Sequence, residues 1–410
     1  MKVEIITVGD ELLWGQAADS NASFLSRRLL QLGLPPQWQT TVGDDPENIR
    51  QGLLTAAGRA DIVLVTGGLG PTDDDRTRDA LAQALGQPLI LDEALWSAIR
   101  RRLDAHGWAT RSAHQRLALI PRSSRVLPNT VGLAPGLLLK TEGTTFFALP
   151  GVPAEMRAIF EEQIVPALEE LPADRVIRRR CLRTVGAGET QIAEMVHKLA
   201  LRKVAVSYLP GPCRVDLWLT ARAKEAREAE DQLSRASRRI EEALEEHIYG
   251  TDDDTLERVT AALLIMKGLT IATAESCTGG LLADFLTDVP GSSAYFMHGV
   301  VAYSNESKRR ILKVPKRLLD RHGAVSPETA AAMAAGAARI SQADIGLSTT
   351  GIAGPSGGSE EKPVGLVYIG MAHGEESFAR RFQFGNDRIM NKECAARTAL
   401  NLVRRYLLDR

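Results

Sequence analysis

The sequence predicts a mixed α/β protein built from more than one domain. Short apolar runs typical of buried strands, such as residues 61–66 and 269–274, alternate with stretches whose apolar residues recur at helical spacing. This alternation occurs in residues 1–170 and again in residues 251–410, and it favours an α/β fold in each, with a mostly parallel sheet in the first. Because domains usually hold roughly 100 to 200 residues, a chain of 410 residues is expected to contain two or three.

The elements can be placed in chain order from these patterns. Asp19 or Ser20 can cap the first long helix, which Gly33 can end. In the first domain we predict strands at residues 3–8 and 61–66 and helices at 24–30, 46–57 and 153–168. The middle domain holds a helix at 189–199, strands at 204–208 and 214–220, and a charged helix at 224–247. The last domain holds helices at 256–266, 327–340 and 387–408 and strands at 269–274, 344–349, 364–372 and 377–384. Residues 171–174 are interpreted as a linker, which gives domains of residues 1–170, 171–250 and 251–410.

Charge and composition exclude several classes of protein. The 50 basic and 51 acidic residues give a formal net charge of −1, so nothing indicates a general attraction to nucleic acid or to an anionic membrane. The four cysteines are far apart and form no CxxC pair, which argues against a zinc site or a disulfide framework and favours reduced cytoplasmic thiols. They are Cys181, Cys213, Cys277 and Cys394. No uncharged apolar run reaches about 18 residues and the chain begins with a strand, so a soluble cytoplasmic protein with no membrane partner is expected.

A polar, glycine-containing turn follows the strand at residues 269–274. Residues 275–280 lead into a segment with helical spacing, so free backbone N–H groups are expected at the helix start. Together with the hydroxyl groups of Ser276 and Thr278, those N–H groups suit a phosphate.

A second small-residue turn contains Ser293. Gly291 there lets the backbone come close to a ligand, but a serine needs a neighbouring base to act as a nucleophile. His298 lies among apolar residues and is interpreted as a packed or strand histidine. Lys308, if partly desolvated beside a serine, could have a pKa low enough to take the hydroxyl proton, which would form a Ser-Lys dyad. The alternative, an ordinary turn and a solvated surface lysine, is the one that spacing alone favours.

Six ordered segments of the last domain resemble the nicotinamide-mononucleotide deamidase family, which is found as the C-terminal domain of CinA (competence/damage-inducible) proteins. The segments are residues 274–280, 291–293, 303–308, 322–326, 350–355 and 358–365. The resemblance implies that Ser293 is the nucleophile and Lys308 its general base, with Tyr303 close to both. It also implies that nicotinamide mononucleotide is bound without a cofactor. The substrate-binding candidates are Ser276, Thr350 and Arg388, to which the two turns add Thr278 and Gly291.

The resemblance also implies a reaction. Ser293 would attack the carboxamide carbon, Lys308 would pass the proton to the departing ammonia, and water would hydrolyse the acyl-enzyme to release nicotinate mononucleotide. Arg388 could hold the phosphate as a bidentate donor, and Lys392 occupies a position where arginine is expected. Cys277 is a rival nucleophile, but the family gives its position no catalytic role, so it is interpreted as a small buried thiol.

The first domain has a glycine-rich turn after the strand at residues 61–66. Ligands of open α/β sheets bind at the carboxyl ends of the strands, so the position suits a site. Gly67, Gly68 and Gly70 allow the backbone to approach a pyrophosphate, and the carboxylates of residues 73–75 are hard ligands for a divalent cation. The alternative is a helix start whose carboxylates only cap the helix and complement its dipole. The residue types leave both interpretations open.

Four segments here resemble the N-terminal domain of CinA proteins, which is related to molybdopterin-binding domains. They comprise residues 7–16 with 19–21, 67–77, 129 with 132–136, and 149–156. The resemblance implies a three-layer sandwich and ADP-ribose pyrophosphatase activity that depends on a divalent metal ion of open identity. It implies Asp10, Glu11, Asp74 and Asp75 as metal ligands, and Asn21, Gly67, Gly68 and Thr77 as pyrophosphate-binding residues. Leu133 occupies a position where threonine is usual.

The same resemblance implies a small K-homology-like α+β domain in the middle of the chain. Binding of RNA by such a domain needs a GxxG loop, whereas residues 186–188 have the wrong spacing. The basic residues 178–180 are balanced by glutamates of the following helix. A spacer or dimerisation element is therefore favoured, so a homodimer is expected and nucleic acid is an unlikely partner.

These observations predict a two-enzyme nucleotide-recycling protein that acts on nicotinamide mononucleotide and ADP-ribose. One alternative is that only one of the two domains is active. Two others are a molybdopterin-binding module in the first domain and a DNA-binding protein linked to competence.

Overall fold

The computed structural model describes residues 1–171 and 176–409. They form two compact units: unit 1 is Met1–Ile177 with Arg222–Ala229, and unit 2 is Arg178–Ala221 with Glu230–Arg410. Residues 172–174 of the predicted linker lie outside the described part. Within that part, no helix is both long and apolar enough to cross a membrane. The predicted mixed α/β class is confirmed.

Unit 1 contains a six-stranded sheet with helices on both faces. The strands of unit 1, including two outside this sheet, are β1 (Val3–Val8), β2 (Trp38–Val42), β3 (Ile62–Thr66), β4 (Leu89–Leu91), β5 (Leu119–Pro121), β6 (Arg125–Leu127), β7 (Gly136–Lys140) and β8 (Thr145–Leu149). Its helices are α1 (Asp10–Leu13), α2 (Ser20–Gln31), α3 (Pro46–Ala57), α4 (Thr77–Ala84), α5 (Glu93–Ala105), α6 (Ser112–Gln115), α7 (Pro153–Ile159) and α8 (Val165–Glu169). The sheet order is β2-β1-β3-β8-β7-β6. The first four strands are parallel, and β7 is antiparallel to both of its neighbours, β8 and β6. Strand β4 pairs with β5 in a separate two-stranded sheet.

The buried strand β1 shows how the layers form. Its side chains alternate between the two faces, because successive residues of a strand point to opposite sides. Val3 and Ile5 pack in one core with α2 and α7, and Ile6 and Val8 pack in another with α3 and α4. This is the predicted three-layer sandwich. Asp19 caps α2 by accepting the N–H of Ala22 at 2.8 Å, and a π-helical turn at Phe160–Ile164 interrupts the single helix predicted for residues 153–168.

Unit 2 begins with a four-stranded sheet of order β10-β11-β9-β12. Its elements are β9 (Val176–Thr184), α9 (Glu189–His197), β10 (Val204–Gly211), β11 (Arg214–Ala223), α10 (Ala226–Leu244) and β12 (Ile248–Thr251). The turn between β10 and β11 contains Cys213, which is disulfide-bonded to Cys394. The prediction that all four cysteines are reduced is therefore wrong for this pair. Residues 181 positions apart in sequence can form a disulfide only when the fold brings them together, which cysteine spacing does not reveal.

The rest of unit 2 is a five-stranded sheet, of order β14-β13-β15-β16-β17, between two layers of helices. Its strands are β13 (Ile271–Glu275), β14 (Phe296–Val301), β15 (Ile345–Gly351), β16 (Leu366–His373) and β17 (Glu376–Gln383). Its helices are α11 (Leu256–Lys267), α12 (Leu281–Thr287), α13 (Asn305–Arg310), α14 (Lys316–His322), α15 (Pro327–Ser341) and α16 (Arg388–Leu408). Strands β13, β14 and β15 are parallel, so their carboxyl ends meet at one edge of the sheet. We call this the carboxyl edge, and the opposite one the amino edge.

Candidate functional site

Lys308 is the central residue of the site at the carboxyl edge. It lies on the short helix α13 and only 1% of its surface is exposed. Its Nζ atom donates hydrogen bonds to Ser276 Oγ at 3.0 Å, Ala302 O at 2.8 Å and Tyr303 O at 3.3 Å. Burial lowers the pKa of the amine from its ordinary value, because the charged form loses hydration. Lys308 is thus not the solvated surface lysine of the alternative interpretation.

Ser276 is the hydroxyl partner that the fold gives to Lys308. It follows β13 directly, and its N–H donates to Thr349 O at 2.9 Å, which fixes the backbone at the end of the strand. The residue is 9% exposed, so its hydroxyl group lies at the floor of the site rather than on the open surface.

Ser293 lies at the other edge of the same sheet. It precedes β14, and the carbonyl of Tyr295 accepts the N–H of Ile271 at the start of β13. Six residues of β14 separate this edge from Ala302, about 20 Å at the rise of a strand. This structure therefore does not bring Ser293 and Lys308 together within one chain, and Tyr303 is close to Lys308 but not to Ser293. Gly291, at φ +85°, lies with Ser293 at the amino edge.

Glu275 occupies the helix start that the sequence assigned to a phosphate. Its buried carboxylate accepts the N–H groups of Gly280 at 2.9 Å, Leu282 at 3.0 Å and Ala283 at 2.8 Å. Thr278 is also buried, and its hydroxyl group donates to the same carboxylate at 2.7 Å. The prediction that Thr278 and these N–H groups bind phosphate is wrong, because an internal carboxylate already satisfies them.

Two further candidates take different positions around the carboxyl edge. Thr350 is buried and its hydroxyl group donates to Ala324 O at 2.7 Å, so in this structure it has a structural partner. Arg388 begins α16, is exposed, and donates to Gly354 O at 2.7 Å and to the Tyr303 hydroxyl group at 3.1 Å. Tyr303 itself is 60% exposed. The aromatic ring and the guanidinium group therefore form one rim of the site.

Lys392 lies one helical turn beyond Arg388 on α16 and adds a second positive charge at this side of the site. Its Nζ atom is 3.7 Å from the position that a Cβ atom on Gly279 would take, so the ammonium group reaches the turn that carries Ser276. Within residues 1–171 and 176–409 it has no hydrogen-bond or ion-pair partner. Cys277, in the same turn, is buried and its pKa is raised to about 12, mainly by burial, so it is a neutral thiol. His298 is exposed on β14, so it is a strand histidine but not a packed one.

The glycine-rich turn of unit 1 is shaped by internal packing. A Cβ atom on Gly67 would lie 2.2 Å from Val8 O, and one on Gly68 would lie 2.3 Å from Thr77 Oγ1. These glycines are needed because β1 and α4 approach the turn, and not only for a ligand. Asp75 is likewise engaged, since its carboxylate accepts the N–H groups of Gly70 at 2.8 Å and Thr72 at 2.9 Å.

Two buried polar atoms next to this turn have no hydrogen-bond partner among the residues that the structure describes. They are Oγ1 of Thr77 and Oδ1 of Asn21. The amide nitrogen of Asn21 donates to Gly151 O at 2.7 Å and to Thr66 Oγ1 at 3.1 Å, which orients the side chain. Buried polar atoms are normally satisfied, so these two are consistent with a polar ligand nearby.

Beside the turn, unit 1 has a cavity of about 620 Å³, a volume typical of a nucleotide-sized ligand. Its wall includes Gly68, Gly70, Asp75, Arg102, His106, Trp108, His114, Gly132, Gly151 and Glu155. His106, Trp108 and His114 were not predicted, because they lie in a segment outside the motifs that carry the family resemblance.

The carboxylates predicted as metal ligands do not form a ready coordination site. Among the described residues, no three His, Cys, Asp or Glu side chains are arranged to hold a metal ion. Burial raises the pKa of Asp44, and the nearby carboxylates of Asp10, Glu11 and Asp74 add to the rise. Asp44 and Asp10 also exchange hydrogen bonds with each other's backbone, at 3.1 and 3.2 Å. The concentration of negative charge suits a divalent cation, and Asp44 was not predicted.

Comparison with known proteins covers all three parts of the chain. Residues 4–170 match a probable molybdopterin binding domain, residues 179–250 a damage-inducible protein CinA KH domain, and residues 253–407 a CinA C-terminal domain. The chain is 44% identical over 411 residues to a competence-damage inducible protein of Caldanaerobacter subterraneus subsp. tengcongensis, covering 100% of this chain and 99% of that protein. It is 42% identical over 412 residues to a CinA-like protein of Dictyoglomus thermophilum, covering 100% of both.

Among solved structures, a competence/damage inducible protein from Agrobacterium tumefaciens is 41% identical. The match covers 37% of this chain and 93% of the chain in that structure, with a TM-score of 0.36. The fold and these matches define a protein in which a molybdopterin-binding-like domain, a KH domain and a CinA C-terminal domain follow one another. The chain belongs to the CinA family of competence/damage-inducible proteins.

Proposed function

We propose that the CinA C-terminal domain is an amidohydrolase that converts nicotinamide mononucleotide to nicotinate mononucleotide and ammonia. The observation that carries this proposal is the 3.0 Å contact between the buried amine of Lys308 and the hydroxyl group of Ser276. A lysine whose pKa is lowered by burial can be neutral at a pH where surface lysines are charged, and only the neutral amine can accept a proton.

The reaction follows from this pair. Ser276 Oγ bonds to the carboxamide carbon as its proton moves to Lys308 Nζ, and the resulting ammonium protonates the departing nitrogen, which leaves as ammonia. Water then attacks the acyl-enzyme with Lys308 again as the base, and releases the carboxylate product and free Ser276. Tyr303 and Arg388, which are hydrogen-bonded to each other, lie at the side of the site where the substrate would enter.

The phosphate of the substrate would lie between Arg388 and Lys392. The two cations are four residues apart on α16, so they project from the same face of the helix. Lys392 has no partner in the described part of the chain, and Arg388 is exposed, so both can receive an anion.

The test is ammonia release from nicotinamide mononucleotide without added metal. We expect Ser276→Ala and Lys308→Ala to lose at least about 100-fold in kcat, the usual contribution of a nucleophile or general base. Cys277→Ala and the surface control Lys316→Ala should keep wild-type rates. Full activity of Ser276→Ala with the fold intact would overturn the assignment.

The family resemblance keeps Ser293 as the rival nucleophile, and it could reach Lys308 only in a second copy of the chain. Mixing Ser293→Ala with Lys308→Ala protomers would then restore activity, because one site of the mixed homodimer has both residues. If Ser276 acts within one chain, Ser293→Ala is active alone and mixing Ser276→Ala with Lys308→Ala restores nothing. Ser292→Ala is the matched control for Ser293→Ala.

A second function, metal-dependent hydrolysis of ADP-ribose to AMP and ribose 5-phosphate, is supported in unit 1. The supporting observation is the cavity beside the glycine-rich turn, with the unpartnered atoms of Asn21 and Thr77 close by. The negative charge of Asp10, Glu11, Asp44 and Asp74 would attract the divalent cation, which would neutralise the pyrophosphate charge. Asp75 is left out, because its carboxylate closes the loop.

The test combines activity with metal affinity. We expect Mn²⁺ to stimulate AMP release from ADP-ribose, and Asp10→Asn and Asp44→Asn to weaken Mn²⁺ binding in calorimetry. Asp104→Asn on the exposed face of α5 is the control. A pterin retained on purification, without AMP release, would instead favour a molybdopterin-binding module.

A further inference from the structure

The wall of the unit 1 cavity includes aromatic rings, and the end of α5 fixes their geometry. After Ala105 the chain turns back through Gly107, which has φ +68°. Trp108 N–H donates to Leu103 O at 2.9 Å and Gly107 N–H to Asp104 O at 3.0 Å. These bonds close the helix in the manner of a Schellman motif, so the position of Trp108 is set by an ordered helix end and not by a free loop.

The two rings at this end form a common surface. The centroids of His106 and Trp108 are 5.0 Å apart, with an angle of 34° between their planes. The imidazole is held on its own helix by a 2.8 Å hydrogen bond between Nδ1 and Arg102 O. Trp108 lines the cavity, yet 55% of its surface is exposed, so much of the ring is free to contact a ligand.

Another part of the cavity wall is polar backbone. It comprises Gly68 and Gly70 of the turn and Gly151, whose carbonyl holds Asn21. A cavity whose wall offers both polar backbone and aromatic rings matches a ligand that has both a phosphate and a planar ring. Aromatic side chains bind such rings by stacking, whichever base is present.

We propose that Trp108, supported by His106, is the stacking wall for the bicyclic heteroaromatic ring of a phosphorylated ligand in unit 1. This inference rests on the proposed use of the cavity for a nucleotide pyrophosphate. Adenine and pterin share the required ring chemistry, and they are separated below by the choice of probe.

The experiment is calorimetric binding to the full chain without metal, with AMP, a pterin monophosphate and ribose 5-phosphate as probes. Trp108→Ala should weaken the binding affinity of the ring-bearing probe about tenfold or more. The affinity of ribose 5-phosphate, which has no aromatic ring, should not change. Trp108→Phe should recover most of the affinity, because phenylalanine also presents a flat ring. Trp96→Phe, on α5 and outside the cavity wall, is the matched control.

The outcomes separate this inference from the pyrophosphatase proposal. If AMP binding depends on Trp108 but ADP-ribose is not hydrolysed with metal, the stacking wall is supported and the pyrophosphatase fails. If Trp108→Ala weakens binding of the pterin probe but not of AMP, the stacking wall is supported and its ligand is a pterin. If ADP-ribose is hydrolysed and Trp108→Ala changes neither KM nor AMP affinity, the stacking wall is wrong. It is also wrong if Trp108→Ala weakens ribose 5-phosphate equally, or if neither ring-bearing probe binds.

Discussion

Lys308 and Glu275 are buried ionisable residues near the carboxyl end of β13, and the structure satisfies them in different ways. Glu275 accepts four hydrogen bonds, three from backbone N–H groups and one from Thr278, all within its own strand-to-helix turn. Lys308 instead contacts two carbonyl oxygens and the hydroxyl group of Ser276. A buried charge is costly unless it is paired or hydrogen-bonded. Glu275 therefore holds the turn in shape, whereas Lys308 retains a reactive partner.

The lowered pKa of Lys308 gives a pH prediction. In the proposed reaction the neutral amine is the active form, and a pKa below the ordinary 10.5 means that this form appears at lower pH than for a surface lysine. Deamidation should therefore rise with pH and reach a plateau below that value. The measurement is kcat/KM between pH 6 and about 10, the upper limit set by the ordinary lysine value. A profile that is flat across this range would contradict the role of Lys308 as the base.

Replacing Glu275 should destabilise unit 2. Glu275→Ala would leave buried N–H groups without acceptors, at about 1–3 kcal/mol for each such group, so we expect a loss of about 3 kcal/mol or more. Chemical denaturation measures the loss. Glu306→Ala removes exposed ion pairs with Arg309 and Arg310 and should change stability by at most about 1 kcal/mol. Equal effects of the two variants would contradict the structural role of Glu275.

At the scale of elements, α15 shows how closely a helix lies on the sheet. A Cβ atom on Gly346 of β15 would lie 2.0 Å from Ala334 O, and one on Gly370 of β16 would lie 2.3 Å from Ala330 O. Ser348 adds a hydrogen bond to Ala330 O at 2.6 Å. The alanine-rich sequence of α15 makes this approach possible, because larger side chains would hold the helix away from the strands.

This contact predicts a strong effect for a small change. Gly346→Ala adds one methyl group against helix backbone that cannot move aside alone, and should cost about 1–3 kcal/mol of stability. Gly385→Ala is the control, since a Cβ atom there would meet nothing within 4 Å. The two variants are compared by their denaturation midpoints. If Gly346→Ala leaves the midpoint unchanged, α15 does not lie in close contact with β15.

At the scale of the molecule, the disulfide joins parts of unit 2 that are distant in sequence. Cys213 lies in the β10–β11 turn and Cys394 in α16, two residues after Lys392. Arg404 of the same helix donates to Ile248 O at 3.0 Å and to Glu246 O at 2.7 Å. The KH part is therefore attached to α16 by both covalent and polar contacts, on the helix that carries the proposed phosphate ligands.

Breaking the disulfide should lower the stability of unit 2 by about 2–5 kcal/mol, because the cross-link limits the freedom of the unfolded chain. A reductant should destabilise the wild type, whereas a Cys213→Ser/Cys394→Ser double variant should be insensitive to it. Thiol counting under denaturing conditions is the accompanying check. Four free thiols in the untreated wild type would contradict the bond.

Much of the fold could be predicted because strands and helices have local signatures. The strand at residues 3–8, the helices of residues 46–57 and 327–340, and the presence of a turn after β13 all follow from short-range patterns. The strand β14 was missed, because Phe296–Val301 includes a histidine and a glycine within its apolar run. That omission hid the fact that Ser293 precedes a parallel strand, and so lies at the amino edge.

The sequence by itself determined the family, the α/β class and the position of Ser276 just after the end of a strand. Tertiary structure decided which hydroxyl group meets the lysine, which atoms occupy the start of α12, and which cysteines are bonded. These outcomes depend on strand order and register, which bring together Ser276 and Lys308, or Cys213 and Cys394, from distant positions. A local pattern specifies an element, but the partners of a side chain are set by how the elements pack.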